Sequence, residues 1–136
     1  YGGVELEVLG PVRRYESLNE QSLVIMVRAA AGDVLLTGDI ETLAQNDLGP
    51  IGANILKVPH HGGATSSLAW LQAADPELAV ISVGENDYGH PSPKVVEALV
   101  EIGASVVRTD QAGDVVVPLG EEAVSLAPVA AIDRSP

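Results

Sequence analysis

The chain has 136 residues, with 19 acidic against 7 basic, a formal net charge of −12 at pH 7 and no Cys. That length fits one domain able to bury most of its surface, and the lack of thiols excludes a disulfide framework or a thiolate zinc site. The charge has the wrong sign for gripping phosphates by Lys/Arg neutralisation alone, unless divalent cations invert the local field.

Val4 to Leu9 (VELEVL) alternates apolar with acidic residues, the period of a half-buried strand, and Gly10-Pro11 ends it. Residues 12 to 21 read as a polar loop. SLVIMVRA (Ser22 to Ala29) and DVLLTGD (Asp33 to Asp39) read as two strands of a hairpin joined across Ala30 to Gly32. ETLAQNDLG has helical spacing with a stop at Gly49, and ANILKVP (Ala53 to Pro59) is a further strand. SSLAWLQAADP predicts a short helix capped by Ser66 or Ser67, followed by the buried strand LAVISVG from Leu78 to Gly84. Ser92-Pro93 opens a helix whose stripe is Val95, Val96, Leu99, Val100 and Ile102, closed by Gly103. SVVRTD and DVVVPL, separated by Gln111-Ala112-Gly113, predict a second hairpin. The domain is placed at 1 to 120, with an Ala/Pro-rich tail, partly disordered, from 121 to 136.

Strands feeding helices predict an α/β layered domain with its chemistry in loops at strand ends. The polar residues fall there. Asp39 ends one strand, His60 and His61 end the next, and Asn86 to His90 (NDYGH) follow the third. A carboxylate and neutral imidazoles suit zinc or manganese, and a carboxylate can bridge two ions. Taken singly, Asp39 is a turn former or helix cap and His90 a loop imidazole stacked on Pro91. Asp47 and Asp87 read as solvated turn residues, Ser66 and Ser67 as caps, and Trp70 and Leu71 as core. The adjacent histidines between Pro59 and Gly62-Gly63 point instead to a constrained loop facing a site.

Nothing in the sequence has the form of a cleavable signal peptide, and runs such as Leu23 to Val27 are far too short to cross a bilayer, so the chain is expected to be soluble. It opens at Tyr1, without Met, directly in front of a strand, which is the expected appearance of a piece of a longer protein.

LLTGD, LKVPHHGGATSS, ISVGENDYGHPSP and RTDQAGDVVV, in that order and at these separations, resemble the C-terminal metallo-β-lactamase-like domain of the ComEC family, membrane proteins of bacterial DNA uptake. The resemblance runs from about Leu6 to Val117 and includes the NEQSLV segment. It implies half of an αββα sandwich, a mixed sheet with helices packed on it, and one or two divalent ions, Zn or Mn, in the intact domain. Asp39 matches a metal ligand, often bridging. The motif at His60-His61 supplies a histidine ligand, with His61 favoured and His60 nearer the substrate. Asn86, Gly89 and His90 match a rim motif that contacts a phosphate or the leaving oxygen. The superfamily's principal H-x-H-x-D-H motif is absent, since the histidines are 60, 61 and 90 alone. The chain therefore resembles the second half of the domain.

The implied reaction is metal-dependent phosphodiester hydrolysis, degrading the DNA strand that is not imported, with the isolated chain inactive. The implied partners are DNA, the missing N-terminal half and, for the fragment, a second copy of itself. The implied parent is an integral protein of the bacterial cell membrane with this domain soluble on the outer side, needing no membrane contact of its own. The alternatives are another phosphodiesterase or esterase of the superfamily, or a non-catalytic binding module whose histidines are relics.

Overall fold

The computed structural model describes residues 3–119. The tail expected at 121–136 lies outside these. Six strands lie side by side in chain order in one sheet: β1 (Glu5–Gly10), β2 (Val24–Ala29), β3 (Gly32–Leu36), β4 (Ile55–Lys57), β5 (Leu78–Ile81) and β6 (Ser105–Arg108). β1, β2 and β3 pair antiparallel, and β3 to β6 pair parallel. The parallel strands are joined through α1 (Thr42–Leu48), α2 (Leu68–Ala74) and α3 (Pro93–Glu101), while α4 (Thr109–Ala112) is a single turn after β6.

This strand order decides the layering. Crossovers between parallel strands are right-handed, so when the order never reverses every crossover helix falls on the same face of the sheet. The core lies there: Met26, Leu35, Leu56 and Ala79 from the sheet pack with Ala44, Leu71, Val95 and Leu99 from the helices. Side chains alternate across a strand, so the opposite face carries the other set. Leu6, Val27, Val34, Ile55 and Leu78 align in one row and Val8, Ile25, Leu36, Lys57 and Val80 in the next. Ile55 and Leu78 are buried, but Leu6, Val8 and Leu36 stand 68%, 65% and 40% exposed. The described residues form one sheet with helices on one side, half of a sandwich, and the other side is apolar at its β1 to β3 end.

That face carries an expectation. In isolation the chain takes up an apolar dye, or self-associates and loses dye binding as it does so. Sedimentation combined with dye fluorescence reads this out, and a strictly monomeric particle that binds no dye would mean the face is already covered.

Most elements match the sequence pattern, with three differences. The first is β1, whose alternation predicts a half-buried strand; its apolar residues face the open side of the sheet, so Leu6 and Val8 are exposed. The second hairpin does not form: after β6 the chain turns through α4, and residues 114–119 adopt no regular structure. Thr109 explains the turn, since its hydroxyl accepts from Val83 N–H at 2.8 Å and donates to Val83 C=O at 2.7 Å, holding the chain at the end of β5. Finally, Asp47 is not a solvated turn residue. It sits on α1, where its carboxylate accepts from Tyr15 at 2.9 Å and pairs with Arg13, tying the loop after β1 to the helix.

Candidate functional site

Four consecutive parallel strands deliver their C-terminal ends to one edge of the sheet, and the polar loops gather there. Open α/β sheets place ligands at this edge, because the loops leaving the strands converge outside it. Asp39 comes from the turn after β3, His60 and His61 from the turn after β4, and Asn86 to His90 from the loop after β5. The structure brings these segments together.

The turns are laced to one another through backbone and side chain. Thr37 donates its hydroxyl to Lys57 C=O at 2.7 Å, Lys57 donates its ammonium to Gly38 C=O at 2.9 Å, and His60 N–H reaches Gly38 C=O at 3.2 Å. The His-His segment is a 3-10 turn, Pro59–Gly62, and both histidines hold left-handed backbone angles, φ 46° and ψ 48° for His60, φ 54° and ψ 24° for His61. For an L-residue that conformation costs about 1–2 kcal/mol each. Strain of this kind persists where the surroundings over-determine it, and such places cluster at functional sites.

The strained turn aims the two imidazoles differently. His61 Nδ1 lies 2.6 Å from Ser82 C=O. A carbonyl only accepts, so Nδ1 carries a proton, and in the neutral ring Nε2 presents its lone pair. That nitrogen lies 3.8 Å from Asp39 Oδ1. A backbone carbonyl that fixes the tautomer and orientation of a histidine is the usual outer support of a metal-ligating imidazole. His60 is held from another side: its Nδ1 lies 2.9 Å from Glu41 Oε1, and Thr65 donates to that same oxygen at 3.0 Å. His60 lies edge to face with His61 at 6.1 Å between ring centroids and with His90 at 5.3 Å. Burial, with smaller contributions from His60 and His61, pushes the His90 imidazole below its ordinary pKa, keeping the neutral form favoured.

Asp39 also faces a cation. Lys57 Nζ stands 3.6 Å from its Oδ1, and burial pulls the ammonium below the ordinary lysine range against the opposing pull of Asp39. The carboxylate thus sits between an ammonium and an imidazole nitrogen. It does not cap α1, whose N-cap residue is Glu41.

The loop after β5 is organised by Asn86. Its carbonyl accepts from Tyr88 N–H at 3.1 Å and His90 N–H at 3.0 Å, and its amide nitrogen donates to Gly84 C=O and His90 C=O, each at 2.9 Å. Two donors and two acceptor positions are all that an Asn side chain offers. The expected rim contact at Asn86 is therefore a residue whose amide is fully used in shaping the loop that carries His90. Gly89 has φ 77° and nothing within 4 Å of where a Cβ would stand, so its role there is conformational. Below the loop lies a cleft of about 220 Å³ lined by His61, Val83, Gly84, Glu85, Asn86, Tyr88 and His90.

Lys57, Glu41 and Thr109 belong to this site and are not singled out by sequence reading. Thr109 lies inside the RTDQAGDVVV motif and Lys57 inside LKVPHHGGATSS, and that placement is the signal for both. Glu41 carries no such signal. Among the described residues no group of three or more His, Asp or Glu is arranged to hold a metal ion. What is present is a pair. Two ligands on one tetrahedral zinc stand about 3.4 Å apart at ordinary bond lengths, so Asp39 Oδ1 and His61 Nε2 at 3.8 Å fit one edge of such a site after a small adjustment.

The fold and the loops define a class: a half-sandwich α/β domain with an Asp/His cluster at the carboxyl edge of its parallel strands. No family model matches the chain. It is 36% identical over 132 residues to Competence protein ComA of Neisseria gonorrhoeae, across 91% of this chain and 19% of that protein. It is 37% identical over 106 residues to ComE operon protein 3 of Bacillus subtilis (strain 168), across 73% of this chain and 14% of that one. A third match, 37% over 84 residues, is to the uncharacterized protein YcaI of Escherichia coli (strain K12), across 57% of this chain and 11% of that protein. The chain belongs to the ComEC family, as a C-terminal domain of that type. It spans about a fifth or less of the length of these relatives. No helix among the described residues is long and apolar enough to cross a membrane.

Proposed function

We propose that this chain is the second half of a metallo-β-lactamase-like hydrolase domain in a membrane protein of DNA uptake, with the domain on the outer side of the membrane. The observation that carries the reading is the Asp39–His61 pair, with Nε2 freed toward the carboxylate by the Ser82 carbonyl. The open apolar sheet face supports it from a second direction, because a sandwich hydrolase needs another sheet there, and the competence relatives are several times longer than this chain. Asp39 and His61 would hold a divalent ion, Zn or Mn, together with ligands from the half that packs on the open face.

When bound, the ion supplies a nucleophilic hydroxide at neutral pH and polarises a phosphodiester. The chain's own residues do the rest. Lys57 orients Asp39, and Ser82 holds the His61 tautomer. His60, anchored at Nδ1 by Glu41, turns its Nε2 to the substrate side. His90, kept neutral by burial, stands at the rim to receive or donate a proton near a phosphate oxygen. The substrate is the DNA strand that is not imported, and the chain alone is inactive for want of ligands.

The test is a Zn²⁺ titration of the isolated chain by NMR. Binding should be weak and perturb Asp39, His60, His61 and their neighbours. His61→Ala should abolish it. If none of these residues responded the half-site would be lost, and tight stoichiometric binding would show that the chain closes a site unaided.

A further inference from the structure

The chain is poor in aromatic residues, with one Trp, three Tyr and no Phe. Two of the four are core. Trp70 is 5% exposed and donates its indole N–H to Gly49 C=O, and Tyr15 is 7% exposed with its hydroxyl on Asp47. Tyr88 differs from both. It is 84% exposed, and its ring stacks on His90 with centroids 6.0 Å apart and planes at 27°. Both rings line the cleft beside His61.

We infer that Tyr88 and His90 form a stacking platform for one nucleobase of the substrate strand, whose phosphate then faces Lys57, His60 and His61. This rests on the nucleic-acid reading above and adds a subsite to it. An exposed aromatic ring gains by covering its face, and a nucleobase stacks on it whatever its identity, because every base has a π face. The platform is already ordered. Asn86 binds the backbone of both platform residues and uses all its hydrogen-bonding capacity to do so, so little entropy remains to be lost on binding.

Size and charge select the base over the backbone. A cleft of about 220 Å³ is smaller than the roughly 300–1,000 Å³ of sites for drug-sized ligands. That suits a single planar heterocycle. Glu85 lines the cleft, and the exposed Asp87 precedes Tyr88 in the same loop. Their carboxylates repel a phosphate, which leaves the neutral base on Tyr88 and sends the phosphate toward Lys57, His60 and His61.

The experiment uses the full chain with two probes of equal length, a short single-stranded oligo-dT and the same oligonucleotide with abasic positions, followed by NMR and tyrosine fluorescence. The oligo-dT should shift the ring signals of Tyr88 and His90 and bind about 5- to 100-fold more tightly than the abasic strand. Tyr88→Phe should keep that difference and Tyr88→Ala should erase it. Because Tyr88 is exposed and its side chain supports no other element, both variants should melt like the parent chain. Equal affinity for the two probes would overturn the platform while leaving the nucleic-acid reading in place. Failure of both probes to bind would overturn the nucleic-acid reading, and the platform with it.

Discussion

Gly62→Ala is expected to lower stability by about 2–5 kcal/mol and to pull the two histidine loops apart. Gly62 has φ 75°, and a Cβ added there would stand 2.7 Å from Pro91 Cβ, 3.3 Å from Pro91 Cα and 3.5 Å from Ile81 Cγ2. The left-handed backbone alone costs a non-glycine residue about 1–2 kcal/mol, and overpacking adds about 1–3 kcal/mol. None of the neighbours can give way cheaply. Pro91 is a rigid ring, and Ile81 is a fully buried strand residue. Relief comes by moving the segment around Pro91, which breaks the bond from Ser92 N–H to Gly62 C=O at 2.8 Å and takes the start of α3 with it. His90 precedes Pro91, so its position relative to His60 and His61 goes too. Urea denaturation gives the stability change, and the Zn²⁺ titration gives the functional one. Gly84→Ala is the control, since nothing lies within 4 Å of its Cβ position, and it should stay within about 0.5 kcal/mol of the parent chain. A Gly62→Ala chain as stable as that control would show that the two loops are not in the close contact described.

The same contact shows why parts of the site were legible in sequence. The GG after HH and the P after GH are the marks of two backbones passing closely, and they stand out in a string of letters. So do the helix starts at Ser67 and Ser92-Pro93 and the stop at Gly49, because capping is a local matter of one to four residues. The order of strands followed from β-branched and leucine runs, and their order placed Asp39, His60, His61 and His90 on one edge. What did not follow was anything set by a partner distant in the chain. VELEVL reads as half-buried because alternation reports that one face is apolar but not what covers it. SVVRTDQAGDVVV reads as a hairpin because its turn composition is right, while the hydroxyl of Thr109 finds Val83, 26 positions away, and diverts the chain. The partner of each histidine was equally out of reach: Ser82 for His61 and Glu41 for His60 are 21 and 19 positions from them.

Lys57 resolves a tension raised by composition. A chain of net charge −12 has few cations to spare, yet one is placed on the open sheet face beside Asp39 rather than at the surface at large. Its carbonyl partner, Gly38, and its position at the end of β4 fix the ammonium 3.6 Å from the Asp39 carboxylate. The acidic surface and the Lys57 ammonium are thus separate features: the first sets solubility and long-range repulsion, the second offsets the Asp39 carboxylate at the edge where the polar loops gather.

Glu20→Ala should lower stability by about 2–4 kcal/mol and disturb the site from outside it. Glu20 lies in the segment that reads as a polar loop, yet it is 3% exposed. Its carboxylate accepts N–H groups from Glu41 at 2.9 Å, Leu43 at 3.1 Å and Ala44 at 3.0 Å. A helix begins with four N–H groups that have no partner within it, and a negative charge is favoured there by the helix dipole. The N-cap residue of α1, Glu41, makes no side-chain capping bond, so a residue 21 positions upstream takes over that role. Removing it leaves three donors without their acceptor. A buried donor deprived of its partner costs about 1–3 kcal/mol, and the total stays below three times that because Leu43 and Glu41 lie close enough to the surface for water to replace part of the loss. Glu20→Gln retains one acceptor oxygen and should fall between the parent and the alanine variant. The consequence extends to chemistry, since the backbone N–H of Glu41 is held by Glu20 while the Glu41 carboxylate holds His60. Denaturation curves should therefore shift together with the imidazole signals of His60, while those of Tyr88 stay in place. A Glu20→Ala chain within about 0.5 kcal/mol of the parent would mean that water alone caps α1.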